Sequence, residues 1–95
     1  MNERQAYIEK MKAKLDEWNA DIDKLEARSR EAEADTRIRL QQHLDELRAT
    51  REDAARRLRE LQDAGSDAWE SMREGAESAW EEMAKAFREA SSRFK

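Results

Sequence analysis

The sequence predicts an all-α protein built from long helices, and three observations support this fold class. The 95-residue chain contains no proline and two glycines, so residues that favour turns are few. Charged residues make up 44% of the chain, with acidic and basic side chains interspersed. Apolar residues recur at spacings of three and four, as they do on one face of a helix. This combination is typical of long helices and coiled coils.

The first predicted element is a helix that begins almost at the N-terminus. Asn2 suits its N-cap, and Gln5 three positions later completes a capping box. Apolar residues then follow at alternating gaps of three and four, which places them on one seam of a heptad repeat. This first seam consists of Ile8, Met11, Leu15, Trp18, Ile22 and Leu25. A second seam consists of Leu40, Leu44, Leu47, Arg51, Ala54, Leu58 and Leu61.

The two seams are predicted to share one long coiled-coil helix over residues 1–64, because no glycine or proline interrupts this range. Joining them requires a stutter in the heptad frame near residues 27–39. Acid–base pairs at i,i+4 spacing that begin at Glu33 and Asp35 support helix in this section. The section is nevertheless the place where a bend or an unmarked turn is expected, with Asp35 as its cap. Its seam positions are small or polar: Ser29, Ala32 and Thr36.

A helical hairpin is predicted at residues 64–67. Gly65 suits the position after a helix C-terminus, where a left-handed backbone favours glycine. Asp67 suits the N-cap of a following helix, with Glu70 three positions later. Gly65 and Asp67 are therefore the predicted hinge. The alternative is an uninterrupted helix in which Gly65 costs about 1 kcal/mol.

The C-terminal helix, residues 67–94, carries an apolar stripe that repeats in steps of 11 residues. The stripe consists of Trp69, Met72, Ala76, Trp80, Met83, Phe87, Ala90 and Phe94. An 11-residue period keeps a stripe nearly straight along a helix. Folded back, this helix is predicted to pack on residues 35–63. The expected contacts bring Leu40, Leu44, Leu47, Leu58 and Leu61 against Trp69, Met72, Trp80, Met83 and Phe87.

In that arrangement the first seam has no partner within the chain. Burying a large apolar side chain is worth about 1.5–3 kcal/mol, so an exposed strip of six marks an interaction site. The simplest partner is a second copy. The sequence therefore predicts a homo-oligomer, a dimer or a larger bundle, with the first seam as its interface and another protein as a further candidate partner.

The residue inventory predicts no enzyme, no metal site and no cofactor. His43 and Glu46 have a spacing that two metal ligands use, but no second His or Cys completes a site. The net charge of −4, with no basic face, argues against nucleic acid as a partner. Arg51, inside an apolar seam, is either a side chain with a solvated head or a device that sets register or partner choice. The lack of a signal peptide and of an apolar run of about 20 residues predicts a cytoplasmic protein.

Membrane binding is the alternative function. An amphipathic helix with large aromatic side chains can lie on a lipid surface. The C-terminal segment is acidic, however, and its polar face is not enriched in Lys or Arg. Core packing is therefore the favoured interpretation of its stripe.

Two stretches resemble a family of short bacterial coiled-coil proteins that are often described as stress-response proteins. One is the segment YIEKMKAKLDEWNA, residues 7–20, and the other is the C-terminal pattern of Ala68-Trp69, Gly75, Ala79-Trp80 and Phe94. The resemblance implies a bacterial cytoplasmic protein with a stress role, and it carries no catalytic residues. The resulting hypothesis is a self-associating scaffold or adaptor without catalytic activity, and the alternative is a peripheral lipid-binding protein.

Overall fold

The computed structural model describes residues 2–93, and within this range the chain forms three α-helices and no strand. They are α1 (Glu3–Glu31), α2 (Ala34–Asp63) and α3 (Ser66–Ser92). A 30-residue helix is about 45 Å long. The molecule measures 52 × 21 × 18 Å, so the helices lie side by side along its long axis. Short connections make the order up-down-up, with α1 parallel to α3. The predicted all-α class with a packed helical hairpin is confirmed.

The start of α1 has the predicted capping box. The Asn2 side chain accepts a hydrogen bond from the Gln5 N–H at 2.8 Å, and the Gln5 side chain accepts one from the Asn2 N–H at 3.5 Å. This arrangement satisfies backbone donors that the first turn of a helix leaves free.

The predicted continuous helix over residues 1–64 is wrong, because the chain reverses at Ala32–Glu33, within the section near residues 27–39 where a bend or turn is expected. Both residues have extended backbones, with φ −78° and ψ 157° for Ala32 and φ −64° and ψ 158° for Glu33. Glu33, not Asp35, is the N-cap of α2, and its side chain makes no capping hydrogen bond.

The physical reason for this break is burial. Turning back at Ala32 lets α2 cover the first seam. The free energy gained by burying an apolar side chain exceeds the differences in helix propensity among good helix formers, which are a few tenths of a kcal/mol. The guanidinium of Arg37 also stabilises the turn, donating to the carbonyl oxygens of Ala32 at 3.0 Å and Arg30 at 3.4 Å.

The second turn lies at Ala64–Gly65, where the sequence predicts a break. Its geometry repeats that of the first turn, with φ −65° and ψ 137° for Ala64 and φ −71° and ψ 165° for Gly65. Gly65 is thus the N-cap of α3 and has no left-handed backbone, so that part of the prediction is wrong. Asp67 lies in the first turn of α3 and is not the N-cap. Its negative charge there interacts favourably with the helix dipole.

The core consists of two adjoining clusters in which all three helices take part. The smaller one lies towards the α2–α3 turn and the larger one extends to the α1–α2 turn. The smaller contains Met11, Leu58, Leu61, Trp69 and Ala76. The larger contains Trp18, Ile22, Leu25, Leu40, Leu44, Leu47, Ala54, Met83, Phe87 and Ala90. The residues predicted for hairpin packing all belong to this core or pack against it, with Met72 and Trp80 partly buried.

The first seam, predicted as an oligomer interface, is covered within the chain, so the expectation that it has no partner there is wrong. Met11, Trp18, Ile22 and Leu25 are buried in the two clusters, and Ile8 and Leu15 pack against them. The prediction assumed that α1 continues away from α3, whereas the turn at Ala32–Glu33 folds α1 against both other helices. Self-association through this seam would therefore require the bundle to open.

Candidate functional site

A stack of three aromatic rings joins α1 to α3. The Trp18 ring lies between Trp80 and Phe87, with centroid distances of 5.2 and 5.1 Å and interplanar angles of 16° and 11°. Trp18 and Phe87 are buried, while Trp80 is partly exposed. Because these rings stand between the helices, the backbones of α1 and α3 approach each other less closely than those of neighbouring pairs in the bundle.

This separation leaves a groove, here called the α1–α3 groove, along one side of the bundle. Three adjoining hollows of about 380, 410 and 540 Å³ follow one another from Tyr7 to Arg28. The partly exposed rings of Tyr7 and Trp80 contribute to its floor. Because the three hollows adjoin to form one concave strip, the groove is our candidate functional site.

Charged side chains line the groove in a pattern that reverses sign along its length. Near Tyr7 the α1 side is basic and the α3 side acidic, whereas near Phe87 the α1 side is acidic and the α3 side basic. The hollow near Tyr7 is lined by Lys10, Lys14, Glu77 and Glu81. The hollow near Phe87 is lined by Glu17, Asp21 and Arg88, and Lys14 reaches it as well. In the last hollow the α1 wall is basic again, with Lys24 and Arg28, and Ser91 lies on the α3 side. The two walls therefore have opposite signs at the levels of Tyr7 and Phe87.

Arg4 holds the end of the bundle at which the groove begins. Its guanidinium donates hydrogen bonds to the carbonyl oxygens of Leu61, Gln62 and Ala64, at 3.3, 3.1 and 2.7 Å. It also lies 4.9 Å from the centroid of the Trp69 ring, a cation–π distance. These carbonyls lie at the end of α2, where the helix dipole favours a cation, and the Leu61 carbonyl also accepts a bond from the Ala64 N–H at 3.3 Å. This role of Arg4 could not be predicted from sequence, because no local pattern links Arg4 to residues about 60 positions away.

Tyr7 packs beside this end of the groove. Its ring meets Trp69 edge to face, at a centroid distance of 6.0 Å and an angle of 83°. Burial raises the pKa of the Tyr7 phenol, and the negative charge of Glu77 adds to the effect. The hydroxyl therefore stays neutral through the physiological range.

Polar links also connect α1 to α2. The guanidinium of Arg51 donates to the Asn19 side chain at 2.9 Å, so this seam residue bridges two helices rather than only pointing its head into water. Arg48 pairs with Glu26 at 3.0 Å. Hydrogen bonds from Arg30 and Arg48 hold the pKa of Glu26 below its ordinary value.

His43 lies near the end of α3, not in a ligand cluster. Its Nδ1 is 3.4 Å from the Arg93 guanidinium, which also pairs with Glu46 at 3.4 Å. Among residues 2–93, no group of three or more His, Cys, Asp or Glu side chains is placed so that it could hold a metal ion. Over the same residues, no helix combines the length and apolar character needed to cross a membrane.

Comparison of the chain with protein-family models, curated proteins and solved structures finds no match. The resemblance noted from the sequence thus remains a prediction.

Proposed function

We propose that the protein is a non-catalytic helical scaffold that self-associates through the α1–α3 groove. One observation carries this proposal: at the levels of Tyr7 and Phe87, the sign pattern of the groove walls is complementary to itself. The surface differs from the one expected from sequence, because the first seam is occupied within the chain.

Self-complementarity follows from symmetry. A two-fold axis parallel to the helices sets α1 of each copy against α3 of the other at the same level. Lys10 and Lys14 then face Glu77 and Glu81. A two-fold axis that crosses the groove at right angles to the helices sets α1 of one copy antiparallel to α1 of the other. The basic part of each α1 then faces the acidic part of its partner. A symmetric dimer uses the same patch on both copies, so a patch that matches itself favours this kind of assembly.

Apolar contacts and charges contribute differently to such a dimer. The exposed parts of Tyr7 and Trp80 supply surface that association removes from water. Exposed ion pairs are each worth about 0.2–1 kcal/mol, so they mainly choose the orientation. The expected association is therefore modest in affinity and weakens as salt screens the charges.

The first experiment compares the parent with the double variant Lys10→Glu and Lys14→Glu. The solution mass is measured by light scattering over a concentration series at low and high salt. Reversing two charges on each copy disrupts four facing pairs, so the dissociation constant is expected to rise about ten-fold or more. The matched control is Lys12→Glu with Arg59→Glu, which changes the net charge equally at exposed positions outside the groove.

A second variant identifies the orientation. Glu77→Lys with Glu81→Lys should also weaken self-association. Mixed with the Lys10 and Lys14 variant, it should restore a complex if α1 lies against α3, and should fail to do so if α1 lies against α1. A parent whose mass stays that of one chain at all concentrations, or a dimer that tolerates both double variants, would contradict the groove proposal.

The stress-related part of the proposal rests on the sequence resemblance alone. Its test is a comparison of growth under heat, osmotic and oxidative stress between cells that carry the parent gene and cells that carry the Lys10 and Lys14 variant. Under the proposal, loss of association and loss of protection occur together.

Lipid binding is a second candidate, favoured by the continuous apolar stripe of α3. In the bundle Trp69, Met83 and Phe87 are buried, so α3 must detach before this stripe reaches a membrane. Because these side chains already lie in an apolar environment, a blue shift of Trp emission is an insensitive assay. Flotation with phosphatidylcholine vesicles, together with loss of the near-UV signal of the stacked rings, measures the detachment directly.

A further inference from the structure

The α1–α2 connection has the composition of a helix. Ala32 and Glu33 are both good helix formers, and the connection contains no glycine, proline or asparagine. Their φ values are negative and lie in ordinary extended regions, so no residue type is required for the turn. The α2–α3 connection differs, since it contains Gly65 and is held by Arg4.

Straightening the first turn would preserve backbone hydrogen bonding. The first N–H groups of α2 donate no hydrogen bond to the Glu33 side chain, which does not cap the helix. In a helix continued through Glu33, those groups would donate to the last carbonyls of α1. The carbonyl oxygen of Ala32, now bound by Arg37, would then accept a helical bond instead.

The register of α1 against α2 allows two straightened chains to pair. Ser29 contacts Gln41 at 3.3 Å, and Asn19 contacts Arg51 at 2.9 Å. Both pairs are centred on Asp35, next to the turn. Two antiparallel copies of a helix continued from α1 into α2 can therefore make the same pairs between chains, with their two-fold axis beside the former turn.

We propose that the Ala32–Glu33 turn is a hinge, and that its straightening exchanges α1 between two copies of this chain. Each copy then contributes α1 to the site that α1 fills within the closed bundle, so the buried contacts of the first seam form between chains. This is domain swapping, in which a dimer forms by exchange of an identical element. The inference goes beyond groove association, because the groove dimer keeps α1 in its own chain.

A disulfide placed across the α1–α2 contact reports which chain supplies α1. The chain contains no cysteine, so the double variant Ser29→Cys and Gln41→Cys provides the only thiols. After refolding at low and at high protein concentration and mild oxidation, non-reducing electrophoresis separates covalent monomers from covalent dimers. Because Ser29 is fully buried, Asn19→Cys with Arg51→Cys serves as a second pair at the partly buried end of the same contact.

Adding Glu33→Pro to each double-cysteine variant tests the hinge itself. Proline fits the closed turn, because Glu33 has φ −64° and Ala32 has the extended backbone preferred before proline. Inside a continuous helix, proline lowers the helix equilibrium constant on the order of a hundred-fold. The matched control is Gly65→Pro, which places proline at the equivalent position of the other turn, where φ is −71°.

The expected result is a covalent dimer fraction that rises with refolding concentration for both cysteine pairs. A swapped dimer contains two straightened hinges, so Glu33→Pro should lower its association constant on the order of ten-thousand-fold, a hundred-fold for each chain, and Gly65→Pro should leave it unchanged. Covalent monomers alone at every concentration, or dimers that persist with Glu33→Pro, would overturn the hinge. A non-covalent dimer by light scattering with only covalent monomers would support the groove proposal while refuting the swap.

Discussion

Replacing Trp18 with alanine tests whether this side chain belongs to the core of one chain or to an interface between chains. Trp18 is 4% exposed and stacks on both Trp80 and Phe87. Removing a buried tryptophan costs about 3–5 kcal/mol, and each aromatic pair adds roughly 0.5–1.5 kcal/mol. A domain of 95 residues has a total free energy of unfolding of about 5–14 kcal/mol. The variant is therefore expected to lose a large share of its stability.

The assay is thermal and urea unfolding followed by far-UV circular dichroism. For a domain of this size, 1 kcal/mol corresponds to about 4–8 °C in Tm. We expect Trp18→Ala to lower Tm by at least about 15 °C. The control is Ile38→Ala, which removes an apolar side chain that is 64% exposed and should change stability by less than about 0.5 kcal/mol.

One result would refute the placement of Trp18 in the core of a single chain. If Trp18→Ala kept its Tm within a few degrees of the parent but lost a dimer, Trp18 would lie at a chain–chain interface and the bundle packing described above would be incorrect.

Three further predictions concern the ends and the surface of the bundle. Arg4→Gln should lower the free energy of unfolding by about 1–3 kcal/mol, because carbonyls at the end of α2 lose a charged donor; urea unfolding measures the change, and an unchanged midpoint would contradict the capping role. Glu26 has a lowered pKa in the folded state, mainly through its hydrogen bond from Arg30, so its stabilising effect is present above its ordinary pKa of 4.5 and is lost as pH falls through the lowered value. The stability difference between parent and Glu26→Gln should therefore shrink between pH 7 and pH 3, and a difference independent of pH would refute this linkage. Gly65→Ser should raise the free energy of unfolding by about 0.5–1 kcal/mol, because serine adds an N-cap oxygen to α3. A Cβ at this position meets no atom within 4 Å, so the side chain fits. A lower Tm would count against the N-cap assignment.

Helix positions and buried faces could be predicted from sequence because both depend on local periodicity. The Asn2 capping box, the break near Gly65 and the seams all lie where residue spacing places them. The prediction of a turn at Gly65 is correct in position, but its conformational reason is wrong. It was expected to adopt a left-handed backbone, whereas the turn uses an extended one.

The sequence marks residues 27–39 as the place for a bend or turn, but a complete reversal there could not be predicted, because nothing local requires it. Ala32 and Glu33 favour helix, and the turn forms because α2 and α3 together bury the seam of α1. This energy comes from contacts that are distant in sequence, such as Trp18 against Phe87. The groove was missed for the same reason: it exists only once the stacked rings set the separation of α1 and α3. The proposed interface changed accordingly, since a seam thought to be free is occupied, while the proposed partner is still a second copy.

The up-down-up order of three nearly equal helices places Glu3 and Ser92 at opposite ends of a body 52 Å long. Anything joined to the two ends of the bundle would be held apart by about that distance, as by a rigid spacer. Linking the ends to make a circular permutant would take roughly 15 extended residues, at about 3.3–3.6 Å each. A short linker would instead strain the bundle or connect one copy to the next, giving a chain of bundles joined head to tail.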